Sequence, residues 1–400
     1  MISGALCYTT AMKKMSFVLL AGMLAVANCL VADNVPGVDR AFLDGLLRIP
    51  SQCGDEPQLA RVVDYTRDWL TARGVHCTVE TNDVGRVALY AATTPGKVHD
   101  YLFVSHLDVV VAPEKMFEPR YEGDKVFARG ACDTKGNAAA MCQVLVNLVG
   151  KASVGMFLAT DEDGGGRGIR TPQMMIDRGY LPRKMILVGD SAGEAPGQLF
   201  VAEKGHSRIQ LVAHGKGGHA SRPWALDNPL PKLMEGYHRF ATAWAAQETD
   251  TNTTWRTFVS PTMIEGSEAV NQIADKASLW FSCRYISVED LDRVKRTMIE
   301  TTGLEVHVPT GRLPLVNRPD DPEIARLLQA MKRDLPGGIV EGRMSAATDA
   351  SYYVAAGVKT PIVIFAATGG EPHSDREWGS LSSLDDYTRF FTRYLGSRNP

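Results

Sequence analysis

The chain has no C-x-x-C pair, no long run of one charge, no internal repeat and no low-complexity tract. Each absence removes a class of protein. Without paired thiolates, a zinc ribbon or a dithiol redox site is excluded. Seven cysteines are present; Cys7 and Cys29 lie in the N-terminal stretch, and Cys53, Cys77, Cys132, Cys142 and Cys283 are scattered. An exported chain has room for one bridge among those five, but most read as small buried hydrophobes. A formal net charge of -3 provides no basic face, so nucleic acid is not an expected partner. The glycines of "DGGGRG" and "GKGGHA" form neither a G-x-G-x-x-G turn nor a phosphate loop between strand and helix, which argues against a nucleotide-binding enzyme.

Long apolar runs are also scarce. The one that matters spans 15–27, in "MKKMSFVLLAGMLAVANCLVADN" from Met12. Two lysines, a short apolar run and then small residues are the layout of a secretory leader over 1–32, too short for a membrane span. Cleavage after Ala27 or Ala32 fits, and Met12 is an alternative start. A lipid anchor at Cys29 and a buried first helix are the competing readings; Asn28 before Cys29 suits an anchor poorly. The expectation is an exported protein, periplasmic or secreted, with no membrane segment after leader removal.

What is present suits an ordinary globular chain: 400 residues, 44% hydrophobic and 22% charged, enough for two domains. Helical patterns at 38–47 and 56–72 precede strands at 75–80 and 86–91. Four apolar runs follow, at 101–110, 153–160, 184–190 and 360–368. Continuous apolar strands separated by helices predict a buried, largely parallel sheet of α/β class. Chemistry sits where those strands end. The first closes on His106 and Asp108, the second on Asp161, Glu162 and Asp163, and the third on Asp190. The fourth leads through "GGEP" into His373. Sites in open α/β sheets form outside the carboxyl ends of strands, so these groups converge. An acidic triplet before glycines is otherwise an ordinary surface turn. Asp133, in "ARGACDTKGNAAAMCQ", precedes a helix predicted over 137–148, where it reads either as an N-terminal cap or as one more member of the set.

Between 205 and 311 the pattern changes. Strands at 207–214, 254–264, 277–286 and 304–309 alternate with helices at 230–246 and 287–302, the second opened by a capping box from Ser287 to Asp290. The order β-α-β-β-α-β predicts an inserted ferredoxin-like domain. The expected division is a catalytic domain over 33–205 and 312–400, with a lid or dimerisation domain over 206–311.

Two histidines and several carboxylates form a ligand set for Zn²⁺, Co²⁺ or Mn²⁺, and their number suits two ions sharing one carboxylate. Here the chain resembles the co-catalytic dizinc metallopeptidase and aminoacylase family, which includes glutamate carboxypeptidase, acetylornithine deacetylase, succinyl-diaminopimelate desuccinylase and carnosinase-type dipeptidases. The matching motifs are "SHLDVV", "FARGACDTKG", "TDEDGG", "GKGGHASRP" and "PHSDREWGSLSSL", and the likeness runs from about Val38 to the C-terminus. It implies a zinc-exopeptidase-like catalytic domain. It also implies that His106 and His373 are terminal ligands of two metals, Asp133 the bridging carboxylate after a cis bond to Thr134, Asp163 a ligand beside His373 and Asp190 one beside His106. Asp108 would orient the His106 ring. Glu162 would be the general base for a metal-activated hydroxide that attacks the amide. His219 would reach into a partner's site across a homodimer, while Arg284 and Asn271 would face the substrate.

The chain departs from the family at three places. Asp163 stands where Glu is usual, "RMSAATDAS" where a Gly-Gly pair is common, and Ser282 where Asp is common. The reading is a dinuclear metal-dependent hydrolase of a dipeptide, small peptide or N-acyl amino acid, foremost a dipeptidase or carboxypeptidase. The alternatives are an N-acyl-amino-acid deacylase and a non-catalytic metal- or ligand-binding protein on the same scaffold.

Overall fold

The computed structural model describes residues 35–164, 170–190, 197–247, 254–308 and 311–397. The leader, with its cleavage site and Cys29, lies outside the described residues. A nine-stranded sheet carries most of the chain. Its order is His76–Thr81, Val87–Ala92, Val154–Ala159, Val98–His106, Leu181–Val188, Ile362–Ile364, Gln198–Glu203 and Leu315–Val316, with Val340–Met344 also paired to Gln198–Glu203.

The centre of this sheet is parallel: Val98–His106 pairs in that sense with Val154–Ala159 and Leu181–Val188, and Ile362–Ile364 continues it. The flanks correct the largely parallel expectation. His76–Thr81, Val87–Ala92 and Leu315–Val316 all run antiparallel to a neighbour, so the sheet is mixed. Connection length decides which. Asn82 closes a hairpin by accepting the N–H groups of Val84 (3.2 Å) and Arg86 (2.8 Å). The central strands instead have room for the crossover helices Lys135–Leu148 and Thr171–Asp177. Alternate side chains feed two cores. Phe103, Met156 and Leu158 pack with Phe42, Leu145 and Phe391, while Val104, Phe157 and Ile186 pack on the other face with Met175 and Tyr353.

The inserted unit has its own antiparallel sheet, ordered Phe258–Glu265, Lys276–Tyr285, Gly205–His214 and Glu305–His307. Helices Pro229–Gln247 and Val288–Thr302 complete the β-α-β-β-α-β order, and Phe240, Phe281, Val294 and Met298 fill its separate core. Ser287 caps its helix by accepting the Asp290 N–H at 3.2 Å. The expected reciprocal half of the box is not made; the Asp290 carboxylate is taken by Thr257 (2.7 Å) and Arg293 (2.9 Å). The five described cysteines are all free. Among the described residues, no helix is long and apolar enough to cross a membrane.

Candidate metal centre and active site

Strand ends deliver the site. Val98–His106 terminates on His106, which is buried, and its Nδ1 lies 2.9 Å from the Asp108 backbone carbonyl. The Asp108 carboxylate is farther from that nitrogen, 3.6 Å, and does different work. It accepts the backbone N–H groups of Glu162 (3.2 Å) and Asp163 (2.9 Å), tying the end of one parallel strand to the loop after the next. The contact nearest the imidazole is thus the Asp108 backbone oxygen rather than the carboxylate expected to orient it, and the side chain holds the acidic loop.

Asp133 stands between the histidines. Its Oδ1 is 3.2 Å from His106 Nε2 and its Oδ2 is 2.9 Å from His373 Nε2. The cap alternative is not realised: Thr134 is the residue at the N-cap of Lys135–Leu148, and the Asp133–Thr134 peptide is cis. His373 also meets Asp163 Oδ1 at 3.2 Å, and Asp190 Oδ2 lies 3.9 Å from His106 Nε2. Ligand atoms fall within 4.8 Å of one another in two overlapping groups, His106 with Glu162 and Asp190, and His106 with Asp133 and Asp163. The five sequence-predicted ligands and Glu162 are thus brought together. Asp163, the short substitute for glutamate, is within reach of the cluster and also accepts the Val110 N–H at 3.0 Å.

The charges there are out of balance. Burial, then repulsion from Asp133, Glu162 and Asp163, drives the Asp190 carboxyl well above the usual range. Burial also raises Asp163, to about 6, helped by Asp133 and Asp108 against the His373 hydrogen bond. His373 is pulled up to about 10 by its hydrogen bonds to Asp133 and Asp163. Burial opposes protonation of His106, yet the Asp133 hydrogen bond and the charges of Asp108, Asp163 and Asp190 still raise it. Carboxylates that repel one another around imidazoles are what divalent cations neutralise, and oxygen and nitrogen donors without thiolate suit the ions expected.

Sequence reasoning overlooked the supports. Arg129 and Glu377 form a fully buried ion pair. Glu377 Oε1 also accepts the N–H groups of Gly130, Cys132 and Asp133, each at 3.0 Å. Both residues lie inside motifs already quoted, four positions from Asp133 and four from His373, so proximity to ligands was the available signal. Arg312 pairs with Glu162 and had no signal, since "GRLP" belongs to no motif.

A cleft of about 600 Å³ opens beside the cluster, lined by Glu162, Asp163 and His373 and by Arg170, Arg208, Arg284 and Arg312. Arg284 is therefore at the site. His206 lines it too. Its pKa falls to about 4 through burial and the charges of Arg284, Arg208 and Arg312. His219 and Asn271 are elsewhere. Both are exposed on the inserted unit, where Asn271 accepts the Ala220 N–H and His219 Nδ1 lies 2.8 Å from the Ser221 hydroxyl.

Residues 102–397 match the Peptidase family M20/M25/M40. The chain belongs to the M20 peptidase family. It is 25% identical over 313 residues to a succinyl-diaminopimelate desuccinylase of Erythrobacter litoralis, covering 73% of this chain and 79% of that one. Among solved structures it is similar to an M20 metallo-carboxypeptidase of Sulfolobus solfataricus (TM-score 0.71, 14% identity, 88% and 97% of the two chains). It is also similar to human carnosine dipeptidase 1 (TM-score 0.66, 16% identity, 88% and 94%). M20 membership makes the chain a metal-dependent hydrolase of amide bonds, and its α/β fold is that of M20 peptidases.

Proposed function

We propose that this M20 hydrolase holds two divalent metals, zinc foremost, and cleaves a dipeptide or small peptide, with Glu162 as general base. The observation that carries this reading is the position of Asp133, which offers one carboxylate oxygen to His106 and the other to His373. His106, Asp133 and Asp190 would hold one ion, and His373, Asp133 and Asp163 the other. Such ions supply Lewis-acid polarisation of a carbonyl and make bound water acidic.

The protein's own groups do the rest. Glu162 takes a proton from the attacking water as the oxygen–carbon bond forms. It then gives that proton to the nitrogen as the carbon–nitrogen bond breaks, leaving a carboxylate and an amine. Arg284, in the cleft beside Glu162 and His373, would fix a substrate carboxylate, for which a guanidinium fork is well shaped. Arg170, Arg208 and Arg284 around one cleft, beyond the Arg312 that pairs with Glu162, favour an anionic substrate. This supports a second reading, an N-acyl-amino-acid deacylase, in keeping with the desuccinylase name of the Erythrobacter litoralis relative. We further propose export through the leader over 1–32, and a homodimer in which residues 206–311 bring His219 to the partner's cleft. Its exposure and its absence from the lining of its own protomer's cleft support that role.

The test is a hydrolysis screen of dipeptides against N-acetyl and N-succinyl amino acids with zinc, cobalt and manganese. Metal-dependent turnover that disappears in Glu162→Gln supports the reading. Full activity in that variant overturns it.

A further inference from the structure

The two chain crossings between the main sheet and the inserted unit are locked to each other at one point. His206 N–H donates to the Arg312 carbonyl at 2.9 Å, and Arg312 N–H returns a bond to the His206 carbonyl at 2.7 Å. The Tyr285 hydroxyl adds a third bond, 2.7 Å to the Arg312 carbonyl. Packing there is close. A Cβ on Gly311 would fall 2.3 Å from the His206 carbonyl oxygen, and one on Gly205 would strike the Tyr285 ring. The backbone of Arg312, on one crossing, is therefore held by His206 of the other and by Tyr285 of Lys276–Tyr285.

Its side chain leaves this junction for the active site. Arg312 Nη1 donates to Glu162 Oε1 and to the Ala347 carbonyl at 3.2 Å. The guanidinium is mostly buried, 20% exposed against 13% for Glu162, so the pair is shielded from bulk water. Asp349 is buried nearby, its carboxyl driven well above the usual range by burial and by the Glu162 charge, and the Tyr352 ring lies 6.0 Å from the guanidinium carbon. No residue of the proposed metal set touches Arg312 among the contacts seen, which separates it from the ligands. A charged N–H on one carboxylate oxygen restricts the rotation of a glutamate that follows a strand end and precedes glycines, and leaves the second oxygen for proton transfer.

We infer that Arg312 is a positioning residue: from the junction between the main sheet and the inserted unit it holds the Glu162 carboxylate in place for proton transfer. The inference rests on the reading of Glu162 as general base. It also ties that base to the inserted unit, because the backbone carrying Arg312 is pinned to His206 and Tyr285.

Steady-state kinetics of Arg312→Met, Arg312→Gln and Arg312→Lys, each loaded with zinc and checked for metal content and folded fraction, test it. Arg312→Met and Arg312→Gln are expected to lower kcat about 10²-fold, the scale of a misplacement of about 1 Å. KM and bound metal should stay near wild type, and Arg312→Lys should recover part of kcat. A rise in KM with kcat retained, confined to substrates bearing a free carboxylate, makes Arg312 a substrate ligand and overturns the inference. Loss of metal or of folded protein in proportion to kcat in all three variants overturns it in favour of a structural role. A double-mutant cycle of Arg312→Met with Glu162→Gln in urea unfolding reads the ion pair without turnover. Non-additive effects support the pair, and additive ones remove it. Wild-type protein that binds metal but turns over no amide in the screen removes the base reading, and positioning with it. The cycle then reports separately whether the contact exists.

Discussion

Glu377 Oε1 accepts the backbone N–H of Asp133 at 3.0 Å across 244 residues of sequence. The same oxygen gathers Gly130 and Cys132, and Arg129 closes the other side of the carboxylate. A loop carrying one proposed ligand is thereby bolted to the loop carrying another, His373. Buried acids are costly unless they are paired and hydrogen-bonded, and here both conditions are met.

Glu377→Gln leaves Arg129 buried without its counter-charge. Breaking a buried pair on one side costs about 3–5 kcal/mol. Unfolding in urea is expected to show a loss on that scale, and isothermal titration of zinc into the apoprotein a weaker site. An unchanged midpoint with unchanged zinc affinity would contradict the role of this pair.

Glu162→Gln keeps the shape and removes the base. Turnover should fall about 10²–10⁴-fold, while elemental analysis still finds the wild-type metal content. Loss of metal in step with activity would instead make Glu162 a ligand, a possibility its place beside His106 and Asp190 raises.

Asp133→Ala removes the carboxylate shared by both histidines. At least one of the two proposed metal equivalents should be lost on dialysis, with activity lost as well. Two tightly held ions in this variant would end the bridging assignment.

Glu203 gives a pH signature. Burial pushes its carboxyl up to about 8 despite hydrogen bonds from the Thr348 N–H and hydroxyl, both 2.9 Å. The folded state then binds a proton that the unfolded state has released above about 4.5. Its stabilising contribution is complete below about 4.5 and is lost as pH rises toward 8. Glu203→Gln should flatten the fall in stability across that window and be more stable than wild type at pH 8. A difference between the two proteins that does not vary with pH would remove Glu203 as the source.

His219→Ala should abolish turnover without changing the melting temperature, because the side chain is exposed in its own protomer. Mixing it with Glu162→Gln should restore activity through hybrid dimers. No recovery after confirmed subunit exchange would place His219 outside catalysis.

Much of the site was legible because it is written at strand ends. His106, Glu162, Asp163 and Asp190 each follow an apolar run, and a parallel sheet carries all such ends to one edge. Period and order were also enough for the inserted β-α-β-β-α-β unit. The flanking strands were not legible as antiparallel, since an apolar run such as that at 86–91 has the same appearance whichever way its neighbour runs. Asp108 shows a finer limit: the family likeness implies that its carboxylate orients the His106 ring, yet its backbone oxygen makes the closer approach.

By itself the sequence determined which residues are offered as donors, the alternation that builds the main sheet and the spacing that marks the M20 family. These follow from local pattern, which needs only a few neighbouring residues to be expressed. Tertiary structure alone decided how the donors are held: Asp133 between two histidines, Glu377 beneath it, and Arg312 reaching Glu162 from 150 residues away. Such pairings depend on which loops the folded sheet sets side by side. A buried charge is satisfied by whatever partner that packing brings within reach, and no local pattern records it.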